Sequence, residues 1–326
     1  MPDRTINNSI SRLSIVAFRS SQYAELSQIL SRNYQEHNFD ADGLAAQDAC
    51  LPSYCKHRRW VGLSRGVIVA FGEFRQTPLM FRAGTFCVNI VVHPAFQRQG
   101  IGSLMYSRVI SELRNLEAST VRCTARADHR RSTLFLEQRG FRPIMHIAEW
   151  CHNLREPQID QDALLIPESI VPAGLSVSSV TELAADSQRN HRLYDLFTHI
   201  HEDVPLTTTP IDYDEFIDQH IHNPCFNSDS AFVALQDGRY VGYTELRDDG
   251  NSNLYAGLTG VLRDYRRQGV GFALKMHGIQ YGGAQGYKTI KTFSAANNLP
   301  ICSINARCGF TRIHDWSHFE KCDLKH

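Results

Sequence analysis

The sequence predicts an α/β (α+β) protein of two similar domains, each with a mixed, mostly antiparallel sheet flanked by helices. A basic, glycine-containing turn occurs twice, as Gln97-Arg98-Gln99-Gly100-Ile101-Gly102 and as Arg266-Arg267-Gln268-Gly269-Val270-Gly271. A Gly-Phe pair follows each turn, at Gly140-Phe141 and Gly309-Phe310, and both landmarks recur at a spacing of 169 residues. A further echo, Gly72-Glu73-Phe74 and Thr244-Glu245-Leu246, lies upstream in each half. We therefore interpret the chain as an internal duplication.

The first half alternates strand and helix signals around its turn. Strands are predicted where short apolar or alternating runs occur, at 13–18, 60–63, 67–75, 86–92, 121–125 and 142–152. Helices are predicted where apolar residues recur at helical spacing, at 21–33, 103–116 and 132–139. Residues 1–11 are predicted to be a loose leader, and the polar stretch 37–58 to be irregular.

The second half repeats this order after a proline-containing stretch. Residues 155–172 combine three prolines with acidic residues and glutamine, which is typical of a linker. The domains are therefore predicted at 1–154 and 173–326. Strands are predicted at 175–180, 231–236, 239–246, 253–261, 289–294 and 311–321. Helices are predicted at 186–199, 213–223, 271–284 and 301–307, and Asp237-Gly238 is predicted to form a hairpin turn.

Composition excludes several classes of function. Thirty-four basic and thirty-four acidic residues cancel, whereas a nucleic-acid-binding protein shows a basic excess. No apolar run approaches membrane-spanning length, and no signal-like segment opens the chain, so we predict a cytoplasmic protein with reduced thiols among its nine cysteines. Cys50, Cys55 and His57 lack a second ligand pair at zinc spacing, so no metal site is predicted.

Each repeated turn, placed between a strand and a helix, predicts an anion site. The first N–H groups of a helix have no partner within it, and the helix dipole adds partial positive charge there. The glycines remove side chains that would keep a diphosphate away from the backbone. The arginines add positive charge beside this nest of N–H groups. The assigned residues are 97–102 and 266–271.

At these residues the chain resembles the GNAT superfamily of N-acetyltransferases, whose signature Arg/Gln-x-x-Gly-x-Gly/Ala binds acyl-CoA. The layout is similar to the tandem group, in which two such domains form a pseudo-dimer within one chain. The resemblance implies acetyl-CoA at both turns. It also implies that the strands ending in Val92 and Val261 face the pantetheine arm and the thioester, and that Asn298 opens a helix beside the cofactor. His129 stands in the Asn298 position of the first half.

Acetyl transfer to an amine needs a base, because an amine with a pKa near ~10 is mostly protonated at neutral pH. Glu245 is the first candidate, and Glu73 repeats its position; the alternative is a solvated glutamate on the outer face of a strand. His201, Glu202 and Asp203 lie where a helix is predicted to break, and are candidates for acceptor binding or for the base. The alternative for these three is a turn and capping cluster.

The resemblance further implies a tyrosine acid four residues before the glycine of the Gly-Phe pair. The chain has Asn305 and Leu136 there, so the general acid stays unassigned.

The leading hypothesis is transfer of acetyl from acetyl-CoA to a primary amine of a small molecule, without nucleic-acid or membrane partners. Two alternatives stay open, acetylation of a protein or peptide amine and a non-catalytic acyl-CoA sensor or scaffold. We favour the second half for catalysis, because it contains Asn298 and because Gly257, Thr259 and Gly260 would let a ligand approach the strand. The oligomeric state is left open.

Overall fold

The computed structural model describes residues 13–34, 37, 39–155, 173–206, 210–223, 226–249 and 251–324. The predicted leader and the linker residues 156–172 lie outside these ranges. The chain divides into two compact units, a first unit of residues 1–144 and 317–326 and a second unit of residues 145–316. The closing strands at 142–153 and 311–322 are each divided between the two units, because the unit boundaries fall after residues 144 and 316. The boundaries 1–154 and 173–326 stay a prediction about the sequence repeat.

The first unit is a sheet with helices on both faces. Its elements are β1 (Leu13–Ala17), α1 (Tyr23–Asn33), α2 (Ala41–Ala49), β2 (His57–Ser64), β3 (Val67–Arg75), β4 (Thr85–Val92), α3 (Ile101–Asn115), β5 (Thr120–Arg126) and α4 (Arg130–Glu137). The strands lie in the order β1-β2-β3-β4-β5. Neighbouring strands are antiparallel, except that β4 and β5 are parallel and pair only at 85–87 with 120–122.

Each face of this first sheet carries its own core, because alternate strand residues point to opposite faces. Trp60 and Phe74 pack on the α3 face with Met105, and Phe319 from the C-terminal segment joins them. Val61 and Phe71 pack on the opposite face against α1.

The second unit repeats this plan. Its elements are most of β6 (Arg142–Asn153), β7 (Leu175–Ser179), α5 (Arg189–His201), α6 (Tyr213–Phe216), β8 (Ala231–Gln236), β9 (Arg239–Asp248), β10 (Asn253–Val261), α7 (Val270–Ala284), β11 (Thr289–Ala295), α8 (Leu299–Arg307) and the first half of β12 (Thr311–Cys322). The strands β7-β8-β9-β10-β11-β6 lie in that order. β10 and β11 are parallel and pair only at 253–256 with 289–292, and the other pairs are antiparallel.

The predicted fold class is confirmed, while one local prediction is wrong. The stretch 37–58 contains α2, whose first turn is capped by Asp40, which accepts a hydrogen bond of 2.7 Å from the backbone N–H of Gly43. The helix predicted at 213–223 is present at 213–221, as α6 and the π-helical turn Ile217–Ile221 that follows it directly. Among the described residues, no helix is both long and apolar enough to cross a membrane.

Candidate active site

The second glycine-containing turn, which is predicted to bind phosphate, joins the end of β10 to the start of α7. Gly269 is the N-cap of α7 at φ 85°, a left-handed conformation that glycine adopts without the Cβ penalty. No side chain caps this N-terminus in the described chain, so the first backbone N–H groups of α7 are left for an anion. The first turn has the same geometry, with Gly100 as the N-cap of α3 at φ 79°.

The side chains of the two turns make equivalent hydrogen bonds. Arg266 Nε donates to the carbonyl of Val261 at 2.9 Å, and Gln97 Nε2 donates to the carbonyl of Val92 at 3.1 Å. Gln268 and Gln99 each donate to a carbonyl four residues earlier, at 2.8 and 3.5 Å. Because these side chains are engaged within the turns, we expect the backbone N–H groups to be the primary diphosphate donors. Arg98 and Arg267 both have positive φ values, of 66° and 63°, so the backbone of the two turns is alike at this position.

The charges beside the two turns differ. Asp203, which follows α5, accepts hydrogen bonds from Arg263 and from Arg266. Hydrogen bonds from these two arginines lower the pKa of Asp203 to about 2, so its carboxylate is ionised at neutral pH. In the first turn the contact is uncharged, because Asn33 Oδ1 accepts a 3.4 Å hydrogen bond from Gln97.

A β-bulge distinguishes β10 from β4, the two strands that lead into the glycine-containing turns. The β9–β10 ladder shifts register between Ala256 and Thr259, so that Gly257 and Leu258 lie opposite the single residue Glu245. The extra residue of a bulge is left out of the ladder, which frees a backbone N–H at this point. The corresponding β3–β4 ladder pairs residues 70–75 with 87–92 without a shift. Because β10 also parts from β11 beyond Ala256, the bulge lies at the opening between these strands.

Glu245 is held against the bulge. Its side chain is 9 % exposed, Oε1 accepts from Arg247 NH2 at 2.7 Å, and Oε2 accepts from the Tyr243 hydroxyl at 3.1 Å. A Cβ added at Gly257 would lie 2.7 Å from Oε1, so the absence of a side chain there makes room for the carboxylate. Alternation along β9 brings Tyr243, Glu245 and Arg247 to one face.

Glu73, at the repeated position, is instead locked in an ion-pair cluster. Its Oε2 lies 2.6 Å from Arg59 NH2 and 3.1 Å from His57 Nε2, and Arg59 also bonds Asp48 at 2.9 Å. Burial opposes ionisation of Glu73, but the His57 hydrogen bond and the charges of Arg59 and Arg75 outweigh it and lower its pKa to about 2. These contacts leave Glu73 a structural ion and not an available base.

The three acceptor-side candidates separate in the structure. Asp203 and Glu202 face Arg263, next to the phosphate turn. His201 packs on Phe197 with ring centroids 3.9 Å apart, and burial lowers its pKa. His220, which the sequence reasoning missed, lies 4.3 Å from the same Phe197 ring. Burial, followed by the charges of His201 and Arg247, lowers its pKa to about 3, so both imidazoles are neutral at physiological pH.

At two glycines of β10, the space that a side chain would fill is occupied by other side chains of the protein. Glu245 lies against Gly257, and a Cβ at Gly260 would lie 2.0 Å from Ile200 Cγ2. A cavity of about 920 Å³ opens beside residues 262–264, lined in part by Arg192, His199 and Arg239. Because Glu245 does not line it, this cavity adjoins the phosphate turn and not the bulge.

The last helix of the second unit, α8, lies beside the second glycine-containing turn. Asn298 caps α8 by accepting a 3.4 Å hydrogen bond from the N–H of Ile301. A Cβ at Gly271 would lie 3.2 Å from Ile304, so α8 packs beside the start of α7. Within the described ranges, no group of three or more His, Cys, Asp or Glu side chains is arranged to hold a metal ion.

The model of the acetyltransferase (GNAT) family matches the chain twice, at residues 23–141 and 190–310. A mycothiol acetyltransferase of Clavibacter sepedonicus is 25% identical over 226 residues, which are 68% of this chain and 68% of that protein. A mycothiol acetyltransferase of Streptomyces bingchenggensis is 22% identical over 224 residues, with the same coverage of 68% and 68%.

Two solved structures share the fold over nearly the whole chain. A tandem GNAT protein from the clavulanic acid biosynthesis pathway superposes with a TM-score of 0.75 at 18% identity, covering 95% of this chain and 98% of that one. A GCN5-related N-acetyltransferase from Sphaerobacter thermophilus gives 0.75 at 16% identity, covering 95% and 96%. Because the two family matches together span well over half of the sequence, this chain belongs to the acetyltransferase (GNAT) family and is an acetyl-CoA-dependent N-acetyltransferase.

Proposed function

We propose that the second half of the chain performs the acetyl transfer and that the acceptor is a primary amine of a small molecule. One observation supports the second half as the catalytic one. The strand that leads into the second phosphate turn has a bulge at Gly257 and Leu258, with a carboxylate directly opposite. The first half has the turn without the bulge, and its equivalent carboxylate is bound by Arg59 and His57.

The residues of the second half are suited to the reaction. Acetyl-CoA supplies the thioester whose carbonyl carbon the amine attacks. The N–H that the bulge frees is a donor for the carbonyl oxygen as negative charge develops there. Glu245 accepts the amine proton through a water, while Arg247 and Tyr243 hold its carboxylate in place. A thiol pKa of ~8.5 allows the CoA thiolate to leave without a dedicated acid.

A packed cluster of aromatic side chains lies beside Tyr243, which is the hydrogen-bond partner of Glu245. Phe197, Phe216 and the neutral His220 form one ring cluster between α5 and the π-helical turn, with Tyr243 beside them. Tyr243 links this cluster to Glu245 through its hydroxyl. The cavity that these side chains line is only about 10 Å³, so the cluster is packed core beside the site and not a pocket for the acceptor. Since curated relatives carry the name mycothiol acetyltransferase, amines related to mycothiol belong in the acceptor panel.

The test is Glu245→Gln, assayed by release of free thiol from acetyl-CoA with a panel of amines. Turnover is expected to fall by ~10²–10⁴-fold near neutral pH, the usual effect of losing a general base. Acetyl-CoA affinity should stay unchanged, and part of the turnover should return at high pH, where the free amine is abundant.

The matched control is Glu73→Gln, which should leave turnover per folded molecule unchanged. Full activity in Glu245→Gln together with its loss in Glu73→Gln would assign catalysis to the first half. Tight acetyl-CoA binding without transfer to any amine would favour a sensor.

A further inference from the structure

The face of the second sheet that carries Glu245 has an exposed aromatic side chain beside the bulge. Tyr255 on β10 pairs with Arg247 on β9, and residues directly opposite each other in a ladder point to the same side of the sheet. Alternation along β9 places Glu245 on that side as well. Because Tyr255 is 37 % exposed, a ligand can reach its ring from solvent.

The aromatic surface continues from β10 onto β11. These strands pair in parallel with Tyr255 beside Lys291, so Phe293, two residues further along, lies on the same side of the sheet and level with the bulge. The ring centroids of Tyr255 and Phe293 are 5.8 Å apart, and those of Phe293 and Trp316 are 6.3 Å apart. Phe293 and Trp316 are both partly exposed. We call Tyr255, Phe293 and Trp316 the aromatic strip.

Beside the aromatic strip lie an anion and a cation that neutralise each other. Arg247 donates from one nitrogen, NH2, to Glu245 Oε1 at 2.7 Å. The Arg247 side chain is 48 % exposed, whereas that of Glu245 is 9 % exposed, so the guanidinium is accessible to a ligand. A ligand whose only charge is an ammonium would be repelled by Arg247. A ligand with both an ammonium and a carboxylate matches the pair, because each of its charges meets the opposite one.

We propose that the second half acetylates the α-amino group of an amino acid with an aromatic side chain, which rests on the proposed function and names its acceptor. The amine lies at Glu245 over the bulge, and the carboxylate pairs with the exposed part of Arg247. Arginine suits this role because its planar fork binds a carboxylate through parallel hydrogen bonds. The ring of the acceptor lies on the aromatic strip, where offset or edge-to-face contacts with Tyr255 and Phe293 favour an aromatic group.

The first half has the same fold without the aromatic strip. The pairing registers of the two sheets make Cys87 the counterpart of Tyr255 and Thr124 the counterpart of Phe293. Side chains that the fold itself requires would be expected in both halves. The rings of the second half therefore serve a role that the fold does not demand, as expected for residues that select the acceptor.

The test compares three acceptors by release of free thiol from acetyl-CoA. Phenylalanine carries the amine, the carboxylate and the ring, phenylalanine amide lacks the carboxylate charge, and alanine lacks the ring. The wild type is expected to prefer phenylalanine by ~10–100-fold in kcat/KM over each of the other two, as for one charge-assisted contact or one buried ring. Acetylation of phenylalanine amide or of alanine as efficiently as phenylalanine would overturn the proposed acceptor.

Substitutions assign each preference to its residues. Arg247→Gln should abolish the preference for phenylalanine over its amide and keep that over alanine. Tyr255→Ala and Phe293→Thr should lower the preference over alanine by ~10-fold and keep that over the amide, since they remove rings and no charge. Tyr255→Phe, which keeps the ring, should match the wild type. Thr124→Ala, at the counterpart of Phe293 in the first half, should change neither preference.

Each preference is a ratio of two acceptors measured on one preparation, so partial unfolding or a general effect on Glu245 cancels from it. Unchanged ratios in Arg247→Gln, or in both ring variants, would overturn the assigned contacts. Acetylation of other amines but not of phenylalanine would refute the acceptor class and leave the proposed function intact. Binding of acetyl-CoA without transfer to any amine of the panel would refute the proposed function itself.

Discussion

Replacing Glu73 by glutamine tests whether the repeated glutamates have diverged into a structural ion and a base. The Glu73 side chain is 8 % exposed and that of its partner Arg59 is 4 % exposed. The pKa of Glu73 lies at about 2, against an ordinary 4.5. A difference of roughly 2.5 pH units corresponds to about 3 kcal/mol of folding free energy, and losing one partner of a buried ion pair typically costs 3–5 kcal/mol. Glu73→Gln should therefore lower the stability of the first unit by about 3 kcal/mol at pH 7.

The sign of the pH dependence follows from the lowered pKa. The contribution of Glu73 is fully present above its unfolded pKa of about 4.5 and is lost as pH falls toward the folded value of about 2. The wild type should therefore lose this stability between pH 4.5 and 2. Glu73→Gln should lack that component of the acid transition.

Hydrogen exchange of peptides covering β2 and β3, read by mass spectrometry, reports the stability of these strands. The expected result is faster exchange at pH 7 in Glu73→Gln, with acetyl transfer per folded molecule unchanged. The matched variant Glu245→Gln should show the reverse result. Its turnover should be lost, while β2 and β3 should exchange as slowly as in the wild type. Unaltered protection in Glu73→Gln, or lost turnover without lost protection, would refute the structural role.

Two further substitutions probe the second half. Asp203→Asn removes the carboxylate that occupies Arg263 and Arg266, so acetyl-CoA affinity should rise ~2–5-fold by calorimetry, as expected for exposed ion pairs; weaker binding would mean that Asp203 orients the arginines for the cofactor. Gly257→Ala puts a Cβ 2.7 Å from the Glu245 carboxylate, so turnover should fall ~10–100-fold at unchanged acetyl-CoA affinity. Wild-type turnover in this variant would show that catalysis does not depend on the position of this carboxylate.

Local features of this protein could be predicted from the sequence. The two turns were predicted because an N-terminal helix nest needs glycine at defined positions, and Gly100 and Gly269 indeed take left-handed conformations. Strand positions followed from apolar runs, and β3 and β10 match their predicted ranges to the residue. α2 was missed although its capping residue, Asp40, stood in the sequence as a usable signal.

The sequence by itself determined the duplication, the two glycine-containing turns and the acetyltransferase family, since these depend on residues close together in the chain. Only the tertiary structure showed that the two repeated glutamates have different partners, because Arg59 and His57 contact Glu73 whereas Arg247 and Tyr243 contact Glu245. The bulge opposite Glu245 could not be predicted from the sequence either, since it depends on the register in which β9 and β10 pair. Pairing register and burial arise from contacts between distant residues, and a local pattern carries no information about which of them meet.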